Sequence, residues 1–319
     1  MPEKALLTRN SGMSPTPTMS RFSLRLPSTA ANLGPGFDTL GIALTLYNEF
    51  HVRVAENGAH SVRVQGFGEH SLASPDNNLF FEAYIKTCKH HDWHVFPLSV
   101  TAENRIPLQG GMGSSATAVV GGTATAHLIH TGKLDRDAIM TDALLLETHP
   151  DNIGPCIYGG FAVSVLTDNG FIVDSTPINY PLCCWLIHPH KEVSTVESRL
   201  RVPNEWKRAD TIYSLSRATL LVSALIKGRV QYLSECMKDR LHEPVRMDPH
   251  MEYPSLKALL TGPEFYGWAV SGSGPSVIAF CAKVTDRLRT TLDTYFKMKN
   301  VTYTAYELNV DNSGLTAVA

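Results

Sequence analysis

The chain has 319 residues, with 28 Lys and Arg against 30 Asp and Glu and a formal net charge of −2. This length allows one large or two ordinary domains. Its content of 43% hydrophobic and 18% charged residues is typical of folded proteins and excludes wholesale disorder and collagen. Such a charge provides no broad basic surface for nucleic acid or anionic lipid, so an anionic ligand must be held by local groups.

The 6 cysteines are scattered without a CxxC pair, which predicts free thiols in a reducing compartment. Apolar runs are far shorter than the roughly 20 residues that span a bilayer. The N-terminus also lacks the apolar core of a signal peptide. We therefore expect a cytoplasmic protein with neither a membrane nor a nucleic-acid partner.

The N-terminal half begins with residues 1–19, which lack apolar periodicity and are interpreted as a flexible extension. Alternating apolar and polar residues predict strands at 22–26, 51–55, 61–67, 94–102, 161–166 and 171–173. Pro27 is expected to end the first of these strands. Apolar periodicity also predicts helices. One begins at Asn77–Asn78, and two others run over 115–130 and about 135–147.

A strand at 184–188 begins another layer, and we place a domain boundary before it, giving domains at 20–177 and 178–319. Further strands are predicted at 267–270, 277–281 and 302–308, and further helices at about 212–227, 230–240 and 286–298. Strands and helices mix without a regular βαβ order, which favours the α+β fold class.

The segment from Pro107 to Ala116, PLQGGMGSSA, indicates a phosphate site. Its glycines allow backbone N–H groups to face a ligand, and the following helix adds unpaired N–H groups and a positive dipole end. Ser114 and Ser115 would either cap that helix or reach a phosphate or Mg²⁺. The alternative is a strand-to-helix turn with a serine cap and no ligand.

Other nucleotide motifs compete with this interpretation. The sequence has no GxxxxGK[ST] and none of the VAIK, HRD and DFG motifs of protein kinases. Residues 111–116 do match GxGxxA, and Asp135 lies near the spacing of a ribose-binding acid, so a nicotinamide dehydrogenase is a rival. Against it, 104–107 is not a continuous apolar strand and Asp135 lies in a polar turn.

Two further glycine-rich segments complete the set. Residues 27–38, PSTAANLGPGFD, have the composition of a loop, in which Asn32 and Asp38 offer an amide and a carboxylate. Residues 270–276, VSGSGPS, interrupt a strand pattern with glycines. Such a pattern marks a bulge or a close backbone approach to a ligand or another segment.

In this order, PSTAANLGPGFDTLG, PLQGGMGSSATA and SGSGPS resemble the three signature blocks of the GHMP kinases, which include galactokinase and the homoserine, mevalonate and phosphomevalonate kinases. The first block and ETHPDN at 147–152 are most similar to the bacterial homoserine kinases. The resemblance covers about residues 20–310. It implies an N-terminal domain like ribosomal protein S5 domain 2 and a ferredoxin-like C-terminal domain, with ATP and its acceptor between them.

The resemblance also implies the cofactors ATP and Mg²⁺ and the residues that bind them. Ser115 and Glu147 match the ligands of Mg²⁺, although many family members have a longer insertion between this Glu and the HxDN residues. The residues that match the family's nucleotide site are Asn78, Pro107, Gly110, Gly111, Met112, Gly113, Ser114, Ser115 and Ala116.

For the acceptor, L-homoserine, the family's binding residues match Asn32, Asp38, His149, Arg199 and Arg246. Homoserine carries an ammonium and a carboxylate, which require a fixed acid and guanidinium groups respectively. Arg199 ends STVESR, which resembles the family's STxxAR with Ser198 in place of the usual Ala. Thr195 of that motif is expected near the reacting hydroxyl.

The resemblance assigns catalytic roles to Ser115, Glu147, Asn152 and Thr195. Several sister kinases have a catalytic Asp where this chain has Asn152, and an amide cannot accept the hydroxyl proton. Because phosphoryl transfer passes through a loose transition state, alignment and charge stabilisation can supply most of the catalysis. We therefore expect transfer without a strong protein base, and His149 is the nearby base that would contradict this.

The expected activity is homoserine kinase in threonine biosynthesis, acting on a small-molecule substrate. Three alternatives stay open: a GHMP kinase for another small alcohol such as mevalonate, a nicotinamide dehydrogenase, and a non-catalytic amino-acid sensor. A homodimer is the habit of the family.

Overall fold

The computed structural model describes residues 16–168, 170–191, 195–246 and 253–318, of which 195–196 and 253–255 are described by their backbone only. Most of the predicted extension at 1–19 therefore lies outside the described residues. Within the described part, the Thr18 amide donates to the carbonyl of Ile129 at 2.7 Å, and Met19 packs against the core. The chain is thus fixed in place from Thr18 onward.

The strands, in chain order, are β1 Arg21–Ala31, β2 Leu40–Val54, β3 Ser61–Gly66, β4 Leu98–Asn104, β5 Phe161–Thr167, β6 Gly170–Thr176, β7 Cys183–Pro189, β8 Phe265–Val270, β9 Val277–Cys281, β10 Tyr303–Leu308 and β11 Thr316–Val318. They form a 7-stranded sheet in the order β11-β1-β2-β4-β3, with β5 paired to β2 and β6 to β5, and a 4-stranded sheet in the order β10-β7-β9-β8. The pairing is antiparallel except between β3 and β4.

The α-helices of the described residues are α1 Leu79–His90, α2 Ser114–Thr131, α3 Arg136–Ala143, α4 Pro150–Tyr158, α5 Thr195–Leu200, α6 Arg208–Ile226, α7 Leu233–Cys236, α8 Glu243–Arg246, α9 Tyr253–Leu260 and α10 Asp286–Met298. Short 3₁₀ turns precede α1 and α7. The predictions for β3, β9 and α10 are confirmed almost to the residue, and the α+β class is confirmed as well.

The prediction that Pro27 ends the first strand is wrong. β1 continues to Ala31, with a register shift between Pro27 and Ser28 where it pairs with β2. This bulge accommodates a residue that has no backbone N–H to donate. Consequently 27–31, predicted as a loop, is strand, and only the part after Ala31 forms a turn.

Other boundaries also differ from the predictions. The strand predicted at 94–102 lies at 98–104, the helix at 135–147 ends at Ala143, and the helix at 230–240 is a 3₁₀ turn followed by the short α7. The helix α4 was missed because Pro150 was interpreted as a terminator, whereas it occupies the first turn, where its missing N–H costs nothing. The elements α5, α8, α9 and β11 are too short for periodicity to reveal them.

Three apolar clusters hold the layers together. The first lies between the 7-stranded sheet and α1–α4. The second joins the two sheets, with Ile42 and Leu44 of β2 and Leu186 of β7 in one cluster with α6 residues. The third covers the other face of the 4-stranded sheet against α9 and α10, and Trp185 and Ile187 of β7 point into it. The alternation along β7 therefore gives each face of that sheet its own core.

The division into domains at 20–177 and 178–319 stays a prediction. The structure adds that β11 pairs with β1, so that the chain returns to the first sheet after forming the second. No helix among the described residues is long and apolar enough to span a membrane. All six cysteines are free thiols, as predicted.

Candidate functional site

A cavity of about 550 Å³ lies where the two sheets meet, and all three glycine-rich segments contribute to its lining. Ala116 is buried in α2, and the side chain of Thr195 lies outside the described residues. The remaining predicted site residues all line this cavity: Asn32, Asp38, Asn78, Pro107, Gly110, Gly111, Met112, Gly113, Ser114, Ser115, Glu147, His149, Asn152, Arg199 and Arg246.

The N-terminus of α2 opens on this cavity without a side-chain cap. Gly113 is the N-cap, with φ 77°, and the helix start has no side-chain cap hydrogen bond. A Cβ at Gly113 would lie 2.0 Å from the Thr29 hydroxyl oxygen, so only glycine fits there. The structure therefore does not contain the alternative, a turn capped by a serine side chain. The first N–H groups of α2 and the positive end of its dipole are left for a ligand.

The third glycine-rich segment supports the loop before α2. The Ser271 hydroxyl donates to the carbonyl of Gly111 at 2.6 Å, and a Cβ on Gly111 would lie 2.2 Å from the carbonyl oxygen of Ser271. The amide of Gly272 donates to the carbonyl of Ala31 at 3.1 Å. The close backbone approach predicted for 270–276 is thus an approach to the other two glycine-rich segments, while Gly272 and Ser273 also line the cavity.

Opposite charges are paired within the lining of this cavity. The Arg199 guanidinium donates to both carboxylate oxygens of Asp38, at 2.9 and 2.8 Å. Burial raises the pKa of Asp38, but the hydrogen bonds and charge of Arg199 outweigh it and hold the pKa below its ordinary value. Asp38 is therefore ionised at neutral pH, in a fork geometry that a carboxylate shares only with arginine.

Phe37 is a part of this charged region that the sequence analysis missed. The Cζ atoms of Arg246 and Arg199 lie 5.0 and 5.6 Å from the centre of its ring, and the imidazole of His242 stacks on it at 4.9 Å. Cations close to an aromatic face are attracted by its quadrupole. One ring therefore contributes to the position of both guanidinium groups.

Asn32 lines the cavity, but its amide is already engaged with the protein. Its nitrogen donates to the carbonyl of Gly272 at 2.9 Å, and its oxygen accepts from the amide of Asp38 at 3.0 Å. Its backbone has φ 71°, a left-handed conformation that asparagine tolerates better than most residues. The residue thus ties the turn that carries Asp38 to the third glycine-rich segment.

The start of α4 brings several polar groups to the cavity wall. Glu147 Oε1 lies 3.2 Å from His149 Nδ1, and this hydrogen bond raises the pKa of His149. The Thr29 hydroxyl donates to Asn152 Oδ1 at 2.7 Å. Asp151, which the sequence analysis quoted but did not assign, also lines the cavity, and burial raises its pKa to about 7.

Asn78, which also lines the cavity, forms the N-cap of α1. Its oxygen accepts from the amide of Phe80 at 3.1 Å and its nitrogen donates to the carbonyl of Leu72 at 3.0 Å. Asp135, the acid of the rival dehydrogenase interpretation, instead caps α3 through the amide of Ala138, and it is not among the described residues that line the cavity. β4, which precedes the glycine-rich loop, also pairs antiparallel with β2, unlike the parallel sheet of a dinucleotide fold.

Comparisons with known proteins agree with this geometry. The family model of the GHMP kinases N terminal domain matches residues 78–160. The homoserine kinase of Nostoc punctiforme is 30% identical over 93% of this chain and 98% of its own length, and that of Desulfitobacterium hafniense is 33% identical over 92% of this chain and 99% of its own. The chain belongs to the homoserine kinase family. Members of this family are GHMP kinases, which confirms the resemblance drawn from the sequence blocks.

Solved structures confirm the fold of the family. The homoserine kinase of Cytophaga hutchinsonii has a TM-score of 0.79 at 23% identity, covering 97% of this chain and 100% of its own. The mevalonate kinase of L. major in complex with R-mevalonate has a TM-score of 0.68 at 15% identity, covering 94% of this chain and 98% of its own. Both matches extend over both sheets, so the two-sheet α+β arrangement is that of the GHMP kinases.

Glu243 is a buried acid that anchors the third glycine-rich segment. The amide of Val270 donates a hydrogen bond to its Oε1 at 2.7 Å. Burial raises its pKa from 4.5 to about 8. As pH rises between these values, the unfolded chain loses this proton before the folded chain does, so stability falls by up to about 1.4 kcal/mol per pH unit. We expect Glu243→Gln, which resembles the neutral carboxyl, to become progressively more stable than wild type between pH 5 and pH 8.

Urea unfolding at several pH values measures this difference. The control is Glu69→Gln, which makes the same chemical change at an exposed position. A difference for Glu243→Gln that is flat from pH 5 to pH 8 would show that Glu243 is ionised in the folded protein.

Proposed function

We propose that this chain transfers the γ-phosphoryl group of ATP to the side-chain hydroxyl of L-homoserine, giving O-phospho-L-homoserine and ADP in threonine biosynthesis. One observation carries the proposal: an uncapped helix N-terminus and a set of opposite charges line the same cavity. The first fits a polyphosphate and the second a zwitterionic amino acid. The relatives of this chain, which are homoserine kinases, support the same pairing.

The nucleotide's phosphates fit the glycine-rich loop and the start of α2. Backbone N–H groups at a helix N-terminus bind phosphate oxygens without any cationic side chain, which suits a chain with no broad basic surface. The hydroxyls of Ser114 and Ser115 are available because neither caps the helix. A site for homoserine alone would not need this phosphate-binding helix N-terminus.

Ser115 and Glu147 have the oxygen donors that Mg²⁺ prefers and line the same cavity. Glu147 is partly exposed, and its Oε1 faces His149, which leaves the other carboxylate oxygen for a cation. When bound, Mg²⁺ would supply positive charge against the phosphate oxygens. The donor set therefore fits the cofactors ATP and Mg²⁺.

In the acceptor site, Asp38 and Arg199 pair with each other. A zwitterion offers each of them a new partner, its ammonium for Asp38 and its carboxylate for Arg199. Arg246 is 7% exposed and burial lowers its pKa, so an anionic partner there relieves a desolvated charge. Mevalonate would offer a carboxylate to the arginines but no ammonium to Asp38, which favours an amino acid over mevalonate.

The hydroxyl proton does not require a strong base at Asn152. The amide oxygen of Asn152 accepts a hydrogen bond from the Thr29 hydroxyl, which orients the amide. An amide does not act as a base for the hydroxyl proton. Alignment of hydroxyl and phosphate, with positive charge around the transferred group, carries the reaction in this proposal. A cytoplasmic location and a homodimer stay predictions, the first from the free cysteines and the second from the family resemblance.

A coupled ADP-release assay tests the proposed function on L-homoserine, L-serine, L-threonine and mevalonate with MgATP. We expect turnover of homoserine at least tenfold above the others. Turnover of mevalonate without turnover of homoserine would reject the amino-acid acceptor. Homoserine binding without ADP release would indicate the sensor, and stabilisation by NAD without any effect of MgATP would indicate the dehydrogenase.

The proposed mechanism predicts that neither His149 nor Asp151 is indispensable as a base. We expect His149→Gln and Asp151→Asn, and also Asn152→Ala at the neighbouring amide, each to lower kcat by less than about tenfold through lost alignment, short of the roughly 10²–10⁴-fold usual for loss of a general base. Steady-state kinetics and homoserine binding by calorimetry measure this. The proposal of transfer without a base would be wrong if His149→Gln or Asp151→Asn alone abolished kcat while homoserine still bound.

Substitution of Phe37 is expected to affect the KM for homoserine more than the KM for ATP. Replacing its ring by an aliphatic side chain in Phe37→Leu removes the attraction for both Arg199 and Arg246, so the KM for homoserine should rise about tenfold, the equivalent of roughly 1.4 kcal/mol. The KM for ATP should change less than threefold. Phe37→Tyr keeps an aromatic face and should remain close to wild type, and equal damage by both substitutions would contradict a role for the ring.

A further inference from the structure

The cysteines differ in their access to solvent. Cys183, the first residue of β7, is partly exposed. The other five are buried: Cys88, Cys156, Cys184, Cys236 and Cys281. Burial raises the pKa of the first four of these, which keeps their thiols protonated at neutral pH. Because the thiolate is the reactive form of a cysteine, a reagent in solution meets a reactive sulfur first at Cys183.

Cys281, the last residue of β9, lies directly across the 4-stranded sheet from Cys183. The two residues face each other in the antiparallel register of β7 and β9, and both pack on the side of the sheet that α9 and α10 cover. The Cα atoms of opposite residues in such a pair are about 4.5–5.5 Å apart. A disulfide spans roughly 4.4–6.8 Å between Cα atoms. The backbone therefore already holds the two side chains where a disulfide can form.

The surroundings of Cys183 favour its thiolate. The Cys281 thiol and the backbone N–H of Val284 both donate hydrogen bonds to it, and the first contributes more. The positive charge of Arg289 on α10 adds to them, and together they hold the pKa of Cys183 below its ordinary value despite partial burial. Arg289 also pairs with Glu307, which offsets part of its charge. Peroxide-reactive cysteines share this combination of an accessible sulfur, a lowered pKa and a second thiol beside it.

Cys184 is adjacent in the sequence but is not a partner for Cys183. Successive residues of a strand point to opposite faces of the sheet. Cys184 is fully buried in the cluster between the two sheets, whereas Cys183 packs against the cluster on the other face. A bond between these neighbours would require one of them to leave its own side of the sheet.

We propose that Cys183 and Cys281 form a modification site, at which a peroxide generates a disulfide between β7 and β9. The Cys183 thiolate attacks one peroxide oxygen, so the O–O bond breaks and a sulfenic acid forms. The other oxygen leaves as hydroxide and takes up the proton that the thiol gave up. The Cys281 sulfur then attacks the sulfenic sulfur, the S–O bond breaks, and the hydroxyl leaves as water with the Cys281 proton. The two thiols lose two electrons, and the peroxide gains them.

This site is separate from the proposed function. Cys281 lies at the opposite end of β9 from the glycine-rich turn at 270–276, roughly 14 Å along the strand from Val277. Neither cysteine is among the described residues that line the cavity. The inference therefore needs no nucleotide or homoserine, and its failure would leave the proposed function as it stands.

Peptide mapping of the full chain after hydrogen peroxide treatment tests the proposal. The protein is blocked with N-ethylmaleimide, digested with chymotrypsin without reductant and analysed by mass spectrometry. We expect a peptide that links Cys183 to Cys281 within one chain, with loss of two of the six thiols. A bond between Cys183 and Cys184, a dimer linked through two copies of Cys183, or oxidation of Cys183 no faster than that of the buried cysteines would overturn the proposal.

Alanine substitutions separate the roles of the two sulfurs. In Cys281→Ala the sulfenic acid at Cys183 has no partner, so its labelling by dimedone should exceed that of wild type by about tenfold or more. In Cys183→Ala only buried thiols are left, so thiol loss should slow by about tenfold or more. Cys184→Ala, the same change one residue away on the opposite face, is the matched control and should form the wild-type disulfide.

Dimedone labelling of Cys281→Ala that stays at the wild-type level would contradict the role of Cys281. Unchanged thiol loss in Cys183→Ala would contradict the role of Cys183. The mapping of wild type decides the proposal even where a variant fails to fold, because the linked peptide either contains these two cysteines or does not.

Discussion

The contact between Gly111 and Ser271 determines how the rest of the site is placed. Two backbone segments pass each other so closely that a methyl group on Gly111 would meet the carbonyl oxygen of Ser271 at 2.2 Å. One belongs to the loop that leads into α2, the other to the turn between β8 and β9. Because each is continuous with a different sheet, their contact sets the position of the helix N-terminus relative to the paired charges. Phosphate and acceptor sites are thereby placed relative to each other by backbone, which is stiffer than side-chain contacts.

Polar groups around this contact serve the protein as well as a ligand. The amide nitrogen of Asn32 joins the first glycine-rich segment to the third, and Glu243 holds the start of the third through Val270. In each case a buried polar group is satisfied by backbone, as burial demands. Other groups in the cavity lining keep unused capacity, among them the first N–H groups of α2, Asp151 Oδ1 and Arg246 Nε. In the proposed function, groups of this second kind bind the ligands.

Much of this arrangement could be predicted from the sequence. The glycine-rich segments, Arg199 and Arg246 carry local motifs, and the cavity brings them together as expected. Phe37 and Asp151 could not be assigned in this way, because their importance depends on partners far away in the chain. An aromatic ring matters only once two cations lie beside it, and the carboxyl of Asp151 is notable only once its burial is known. In the fold, the predictions at two prolines were wrong. Pro27 lies at a bulge within β1, and Pro150 lies in the first turn of α4, and local sequence patterns show neither position.

The pairing of β11 with β1 has a consequence for how the protein can be divided. The polypeptide crosses from one layer to the other and then comes back, so that its last described strand lies beside its first. Leu315, just before β11, is fully buried in the same cluster as Phe22 and Leu24 of β1. Cutting the chain between the sheets would therefore strip one fragment of an edge strand and leave the other with an orphan strand. The two layers are therefore expected to fold and unfold together.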